Sequence, residues 1–285
     1  MALTVTTADP LNNSMSRRAP LYFAELIRHR ELLRQFTLRN VELRHKGSHL
    51  GLIWSFLNPL LLLGLYVLVF GYIFDGRFKP AHVAESRIEY ALVVFLGLAI
   101  HHFVGEVLAS STGVILNSPN FVKKVVFPLE ILPAANVGSA AFHFLITLGL
   151  VLGGALITGV PLHGGVLWLP VLLFPLLLGA YGVALGLGAL GVFWRDVAQI
   201  TQFASMVLLF ASAVFYPVSK IPPEAWAVLR FNPLLLAIES ARSALFWDHP
   251  VNPWHVGYIY GFGLASYVTG SAIFQRLRGG FADVL

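Results

Sequence analysis

The chain predicts an all-α membrane protein: six transmembrane helices, an N-terminal amphipathic interface helix, and a re-entrant outer helical hairpin before the last span. Three observations lead there. The 285 residues are 57% hydrophobic and 12% charged, about half the charged share of an ordinary globular domain, with a mean hydropathy of +0.75. The apolar residues fall in long unbroken runs, as membrane-crossing helices require. The basic residues gather on alternate connections between those runs. A net charge of +5 would suggest a nucleic-acid partner in a soluble protein; here it reads as a topology signal, and no nucleic-acid partner is expected.

Residues 1–16 are small and polar and read as a disordered tail. The first strongly apolar run begins only near Leu52, so no signal peptide is expected. An Asn12-Asn13-Ser14 sequon would matter only if this end were secreted. Residues 17–50 form the amphipathic interface helix. Arg28, Glu31, Gln35, Arg39, Glu42 and Lys46 recur on one face, and Tyr22, Leu26, Leu33, Phe36 and Leu43 on another. Such a helix lies among lipid headgroups with its aliphatic face in the acyl layer; a solvated helix packed on a soluble partner is the alternative.

The transmembrane domain covers 51–285, with spans at 52–74, 91–111, 131–158, 167–193, 200–215 and 254–274. The first is about 23 residues, enough to cross roughly 30 Å of hydrocarbon. Its Pro59 falls early, where a kink is cheap. The second is polar for a span, with His101, His102 and Glu106. The last carries Trp254, Tyr258 and Tyr260 near one end as an interfacial belt. Residues 216–247 are broken by Pro217, Pro222, Pro223 and Pro233, and the best apolar run there contains Glu239 and Arg242. Two short helices dipping in from one surface fit that stretch, because irregular backbone is tolerated where protein covers it. With both termini cytoplasmic, 13 of the 19 Lys and Arg fall inside and 6 outside, which obeys the positive-inside rule.

The inner loop 112–130 is the candidate coupling loop. Asn117-Ser118-Pro119 can cap a short helix whose first turn the proline fixes. Phe121 supplies an exposed apolar knob, Lys123 and Lys124 a positive head, and Pro128 a stop. Glu130 sits where a helix N-terminus favours a carboxylate. A rigid capped helix of this kind suits docking into a groove on a partner. In the second span Glu106 follows His102 by four residues, on one face; the two read as a polar channel wall or a mutually satisfied pair, with a proton relay as the sharper alternative. His143 stands alone in the third span and reads as a hydrogen-bonded packing residue. Gly186-Leu187-Gly188-Ala189-Leu190-Gly191 matches GxGxxG but lies within a span, so the dinucleotide reading fails on context. Gly182/Gly186, Gly149/Gly153 and Gly257/Gly261 read as small-residue packing faces. No cysteine, GxxxxGK[ST], HExxH or GxSxG occurs. No catalytic residue, metal or cofactor is therefore expected in this chain.

Four stretches carry a family resemblance: RHKGSHLGLIWSFLNPLLL (Arg44 to Leu63), NSPNFVKKVVFPLEILP (Asn117 to Pro133), FWRDVAQI (Phe193 to Ile200), and FYPVSKIPPEAW with FNPLLLAIESAR (Phe215 to Arg242). In this order they resemble the membrane subunits of type-2 ABC exporters, within the group that exports O-antigen, teichoic acid and capsule polysaccharide. The resemblance implies a homodimer bound to two copies of a separate ABC ATPase, which holds the ATP and Mg. It implies a bacterial inner-membrane permease for lipopolysaccharide biosynthesis, moving polysaccharide on a lipid pyrophosphate carrier, O-antigen foremost. Closure of the ATPase pair would push on Asn117, Pro119, Phe121, Lys123 and Lys124. Arg44, Lys46 and Arg195 lie near the cytoplasmic surface, where they can hold the carrier headgroup or simply anchor to lipid phosphates. Teichoic-acid, capsule or drug export is the alternative within the class. A proton-coupled secondary transporter using His102 and Glu106, and a non-transporting membrane scaffold, are the alternatives outside it.

Overall fold

The computed structural model describes residues 22–44, 46–73, 77–79, 85–123, 127–162, 164–247 and 250–285. Among them all regular structure is helical. The expected tail over 1–16, with its sequon, lies outside the described residues, as does Lys124.

The segment expected as one interface helix to residue 50 is two helices, α1 (Tyr22–Arg28) and α2 (Arg30–Arg44). The ladder passes the break, since His29 N–H donates to Glu25 O at 2.9 Å and Leu33 N–H to His29 O at 3.0 Å. Beyond Arg44 the backbone turns through left-handed Gly47 (φ 86°) and Gly51 (φ 50°), which only glycine adopts freely. A 3₁₀ turn (Gly51–Ile53) then leads into α3 (Trp54–Tyr66), which widens into a π turn over Val67–Ile73.

Helix α4 (Arg87–Ser111) starts four residues earlier than expected, capped by the Ser86 hydroxyl, which accepts from Glu89 N–H at 3.0 Å. The short α5 (Pro119–Lys123) precedes α6 (Ile131–Thr158). Helix α6 keeps its expected bounds and ends at left-handed Gly159. A 3₁₀ turn (Gly164–Trp168) opens α7 (Leu169–Phe193), followed by α8 (Val197–Ala211). Two short helices, α9 (Pro223–Leu229) and α10 (Pro233–Phe246), come next, then α11 (Pro253–Arg278) and α12 (Phe281–Val284). Asn-Pro pairs start both α10 and α11: the Asn232 carbonyl accepts from Leu234 N–H and that of Asn252 from Trp254 N–H, each at 3.0 Å.

Among the described residues four helical stretches are long and apolar enough to cross a membrane: Gly51–Phe70, Arg87–Ser111, Ile131–Thr158 and Gly164–Phe193. The chain is thus a multi-pass membrane protein. Helix α8 is apolar but short, about 22 Å at 1.5 Å per residue. Helix α11 is long, but Trp, Tyr, Ser, Thr and Gly lower its hydropathy.

Helix α4 is the centre of the bundle. In its most apolar window 72% of residues are buried, against 6% in the window that includes α3, so α4 serves as core and α3 as outer wall. The tightest packing joins α7 to α11. A Cβ built on Gly179 would lie 3.3 Å from the Cα of Gly263, one on Gly182 would collide with the backbone of Ser266, and one on Gly270 with the carbonyl of Gly182. The facing positions ascend together on both helices, so α7 and α11 run parallel. Of the three expected glycine faces only Gly182/Gly186 is used in this way. At Gly149, Gly153, Gly257 and Gly261 no described residue comes within 4 Å of an added Cβ.

At the opposite end from the interface segment, Arg242 is completely buried. Its guanidinium donates to Ala213 O (2.8 Å), Val214 O (2.6 Å) and Val93 O (3.2 Å), and it lies 4.5 Å over the Phe78 ring. Gly97 makes the room, because a Cβ there would sit 2.6 Å from Nη2. Phe78 is fixed in turn by Glu85, whose carboxylate accepts from Phe78 N–H at 2.8 Å and Lys79 N–H at 3.0 Å; burial pushes that carboxyl above its ordinary range.

Two outcomes follow for stability in detergent. Gly270→Ala should lower it by about 1–3 kcal/mol by forcing α7 and α11 apart, whereas Gly149→Ala should be neutral; equal thermal unfolding of the two variants would contradict the packing. Arg242→Leu should cost about 2–4 kcal/mol, because it strands the Ala213 and Val214 carbonyls outside the helices; an unfolding midpoint equal to the parent's would refute that role.

Candidate functional site

A cleft of about 1210 Å³ opens between α2, α3, α4 and α6 and reaches down to the start of the coupling segment. One end is apolar, walled by Leu61, Leu65, Phe95 and Phe144; the other carries Arg44, His102, Glu106 and His143, with Asn40, Asn117 and Asn136. Helix α2 reaches this position because Thr37 seats on Gly138 of α6, where a Cβ would come within 2.7 Å of the hydroxyl. That contact carries Arg44, at the end of α2, over the polar end of the cleft.

Three charged or ionisable groups converge there. Arg44 forms an ion pair with Glu106 Oε1, and its Nη1 lies 2.9 Å from His143 Nδ1. His143 Nδ1 is in turn 3.2 Å from Glu106 Oε1. With its proton on Nε2, His143 accepts from Arg44; with the proton on Nδ1, it donates to Glu106. The Glu106 side chain is only 24% exposed and Arg44 49%, so the carboxylate depends on these partners in place of water. One turn further along α4, Asn136 donates to Ser110 Oγ at 2.8 Å and Ser111 Oγ at 3.2 Å, tying α6 to α4.

This arrangement corrects two expectations. Glu106 is satisfied by Arg44 and His143, and the predicted mutual pair with His102 does not form; His102 is exposed and lines the cleft. The four-residue spacing on α4 is outcompeted by a cation delivered from another helix. His143 is a member of the cluster rather than an isolated packing residue. The adjacent His101 donates from Nε2 to Ser205 O at 3.0 Å, linking α4 to α8.

The other predicted residues are more dispersed. Lys46 is exposed on the turn after α2, Arg195 is exposed in the turn between α7 and α8, and neither lines the cleft. Of the three proposed headgroup residues, Arg44 alone faces it. In the coupling segment Asn117, Pro119 and Lys123 are exposed. Phe121 is half-buried and turned inward, its ring 5.3 Å from that of Phe36 and 4.8 Å from that of Phe127. The expected outward knob is thus an internal contact to α2. Glu130 is buried and makes no capping bond; it pairs with Arg278 at 3.6 Å, which brings the end of α11 to the coupling side. Among the described residues no group of three His, Asp or Glu is placed to hold a metal ion. The site offers a half-exposed guanidinium with a competing carboxylate, a constellation suited to anions and to a reversible charge contact.

The family model for the ABC-2 type transporter matches residues 31–246, which include the cleft, the coupling segment and Arg242. The chain belongs to the ABC-2 type transporter family. An ABC-2 type transporter of this kind is a transport subunit, not an enzyme. Similar proteins include the O-antigen export system permease protein RfbA of Klebsiella pneumoniae, 25% identical over 256 residues, covering 90% of this chain and 95% of that one. The protein of the same name from Myxococcus xanthus is 27% identical over 262 residues, covering 91% and 97%. The capsule polysaccharide export inner-membrane protein BexB of Haemophilus influenzae is 22% identical over 245 residues, covering 85% and 89%.

For this ABC-2 type transporter, a double-mutant cycle over Arg44→Ala and Glu106→Ala should give a coupling energy of about 0.5–1.5 kcal/mol, the half-exposure of Arg44 keeping it below that of a dry pair. Strictly additive unfolding energies would refute the pairing.

Proposed function

We propose that this chain is the permease subunit of an ATP-driven exporter that moves lipid-pyrophosphate-linked polysaccharide, O-antigen foremost, across the bacterial inner membrane. The observation that carries the reading is similarity along nine-tenths of the chain to permeases named for O-antigen export. The missing P-loop agrees with it, since energy then comes from a separate ABC ATPase that binds ATP and Mg.

Six spans with both termini cytoplasmic remain our reading, counting α8 and α11 with the four long apolar stretches. The parallel register of α7 and α11 supports it. So does the Glu130–Arg278 pair, which puts the end of the last helix beside the coupling segment. The re-entrant reading of 216–247 is supported by contacts at the other end of the bundle. Arg242 of α10 reaches Val93 near the start of α4, and Tyr258 near the start of α11 donates to Phe231 O at 2.7 Å. The amphipathic α1–α2 segment lies along the cytoplasmic interface. A homodimer is supported by apolar side chains on α3 and α8 that no described element covers, among them Leu60 (51% exposed) and Phe203 (67%).

In this reading the cargo's carrier headgroup meets Arg44 at the polar end of the cleft, with Lys46 and Arg195 as further cations on the cytoplasmic side. Residues Asn117, Pro119, Phe121, Lys123 and Lys124 receive the push of two ATPase copies, and His102 and Glu106 form part of the polar wall. A capsule polysaccharide is the second cargo, favoured by the similarity to BexB.

The double substitution Lys123→Glu/Lys124→Glu should cut polymer export by about tenfold or more while the ATPase alone hydrolyses ATP at its normal rate. Export measured in membrane vesicles at the parental rate would remove the coupling role.

A further inference from the structure

Helix α2 is held at two places that belong to different parts of the molecule. Near its middle, Phe36 packs against the rings of both Phe121 and Phe127, 5.3 Å from each, so it touches the segment 112–130 at two points. At its end, Arg44 enters the cluster with Glu106 of α4 and His143 of α6. Between them Thr37 rests on Gly138, a seat with no side chain on the α6 side. Eight residues separate Phe36 from Arg44, about 12 Å along the axis.

We infer that α2 is a rocker that converts displacement of the coupling segment at Phe36 into movement of Arg44 against Glu106, opening or shutting the cleft. The geometry is that of a lever lifted from its seat: Phe36 adjoins the Thr37–Gly138 contact, so displacing it loosens α2 from that seat and draws Arg44, two turns further on, away from Glu106. At the turn into α3, left-handed Gly47 and Gly51 each lack a described residue within 4 Å of the Cβ position, so no described side chain there obstructs a shift of α2. The charge contact at the far end is suited to being broken and remade, since Arg44 is half-exposed and its guanidinium can be rehydrated as it leaves. Phe36 is in these terms a positioning residue: it carries motion and touches no cargo.

This inference rests on the proposed coupling role of 112–130, and the test separates the two. The chain has no cysteine, and the Cβ position of Gly138 is 3.5 Å from that of Thr37, within the span a disulfide bridges. In the complex of the full chain with its ABC ATPase, Thr37→Cys/Gly138→Cys should cross-link on oxidation without nucleotide, and trapping the ATPase with ATP and vanadate should slow that reaction several-fold. The cross-linked complex should lose about tenfold or more of its export while still hydrolysing ATP, with recovery on reduction. Phe36→Ala should uncouple in the same way, and Phe36→Leu should keep most of the export. A cross-linking rate indifferent to nucleotide, a pair that never cross-links, or a cross-linked complex exporting at the reduced rate would each overturn the rocker. If the parent complex moves no polysaccharide at all, the export reading fails, and the nucleotide dependence of cross-linking still decides the rocker.

Discussion

A guanidinium with no access to water organises the end of the bundle opposite the interface segment. The chain leaves α8 at Ala211 and turns through Ala213, whose φ of 51° is left-handed. The carbonyls of Ala213 and Val214 then lie beyond the helix ladder. Arg242 serves both, from Nη1 and Nη2, and donates from Nε to Val93 of α4. A buried charge is tolerated only when its hydrogen bonds are complete, so the positions of α10, the end of α8 and the start of α4 are mutually dependent. Gly97 belongs to the same arrangement as the vacancy that the guanidinium fills. The carboxylate of Glu239, 3.9 Å away, contributes charge balance without a direct hydrogen bond.

The half that holds α1 and α2 follows a different logic. Its contacts are divided between aromatic rings at Phe36, Phe121 and Phe127 and a partly wet ionic cluster at Arg44, Glu106 and His143. Rings hold position by shape and can tilt without losing all contact; a half-exposed ion pair exchanges protein for water at small net cost. The less exchangeable interactions lie at the end where the short helices α9 and α10 cover the bundle, and the more exchangeable ones where a partner would push.

Much of this was legible in the residues and some of it was not. The bounds of α6 and the end of α7 follow from local signals, Pro128 before one and the polar Trp194-Arg195-Asp196 after the other. Helix α4 begins before its apolar run because a charge there can be accommodated: Glu89 is buried and paired with Lys79 at 2.5 Å. Glu239 and Arg242 lie in a helix of 14 residues, which is not among the long apolar stretches of the described residues. Their spacing could not reveal that the arginine is enclosed by protein, because Val93 is 149 residues away. His102 and Glu106 share a face, yet the partner that satisfies the carboxylate comes from α2. Three glycine pairs have one spacing and only one is packed. Periodicity says which residues are neighbours along a helix, and the partner across the gap depends on tertiary contact.

Backbone meets backbone closely at the glycines of the seam between α7 and α11, Gly179, Gly182, Gly263 and Gly270. Side chains at such a seam have no length to bend or rotate, so the two helices can neither slide nor roll without a clash. Any working cycle must carry them as a single stator. Shape change is thereby confined to the loosely held perimeter, and labels placed on α7 and α11 would supply a stationary frame against which every moving part can be measured.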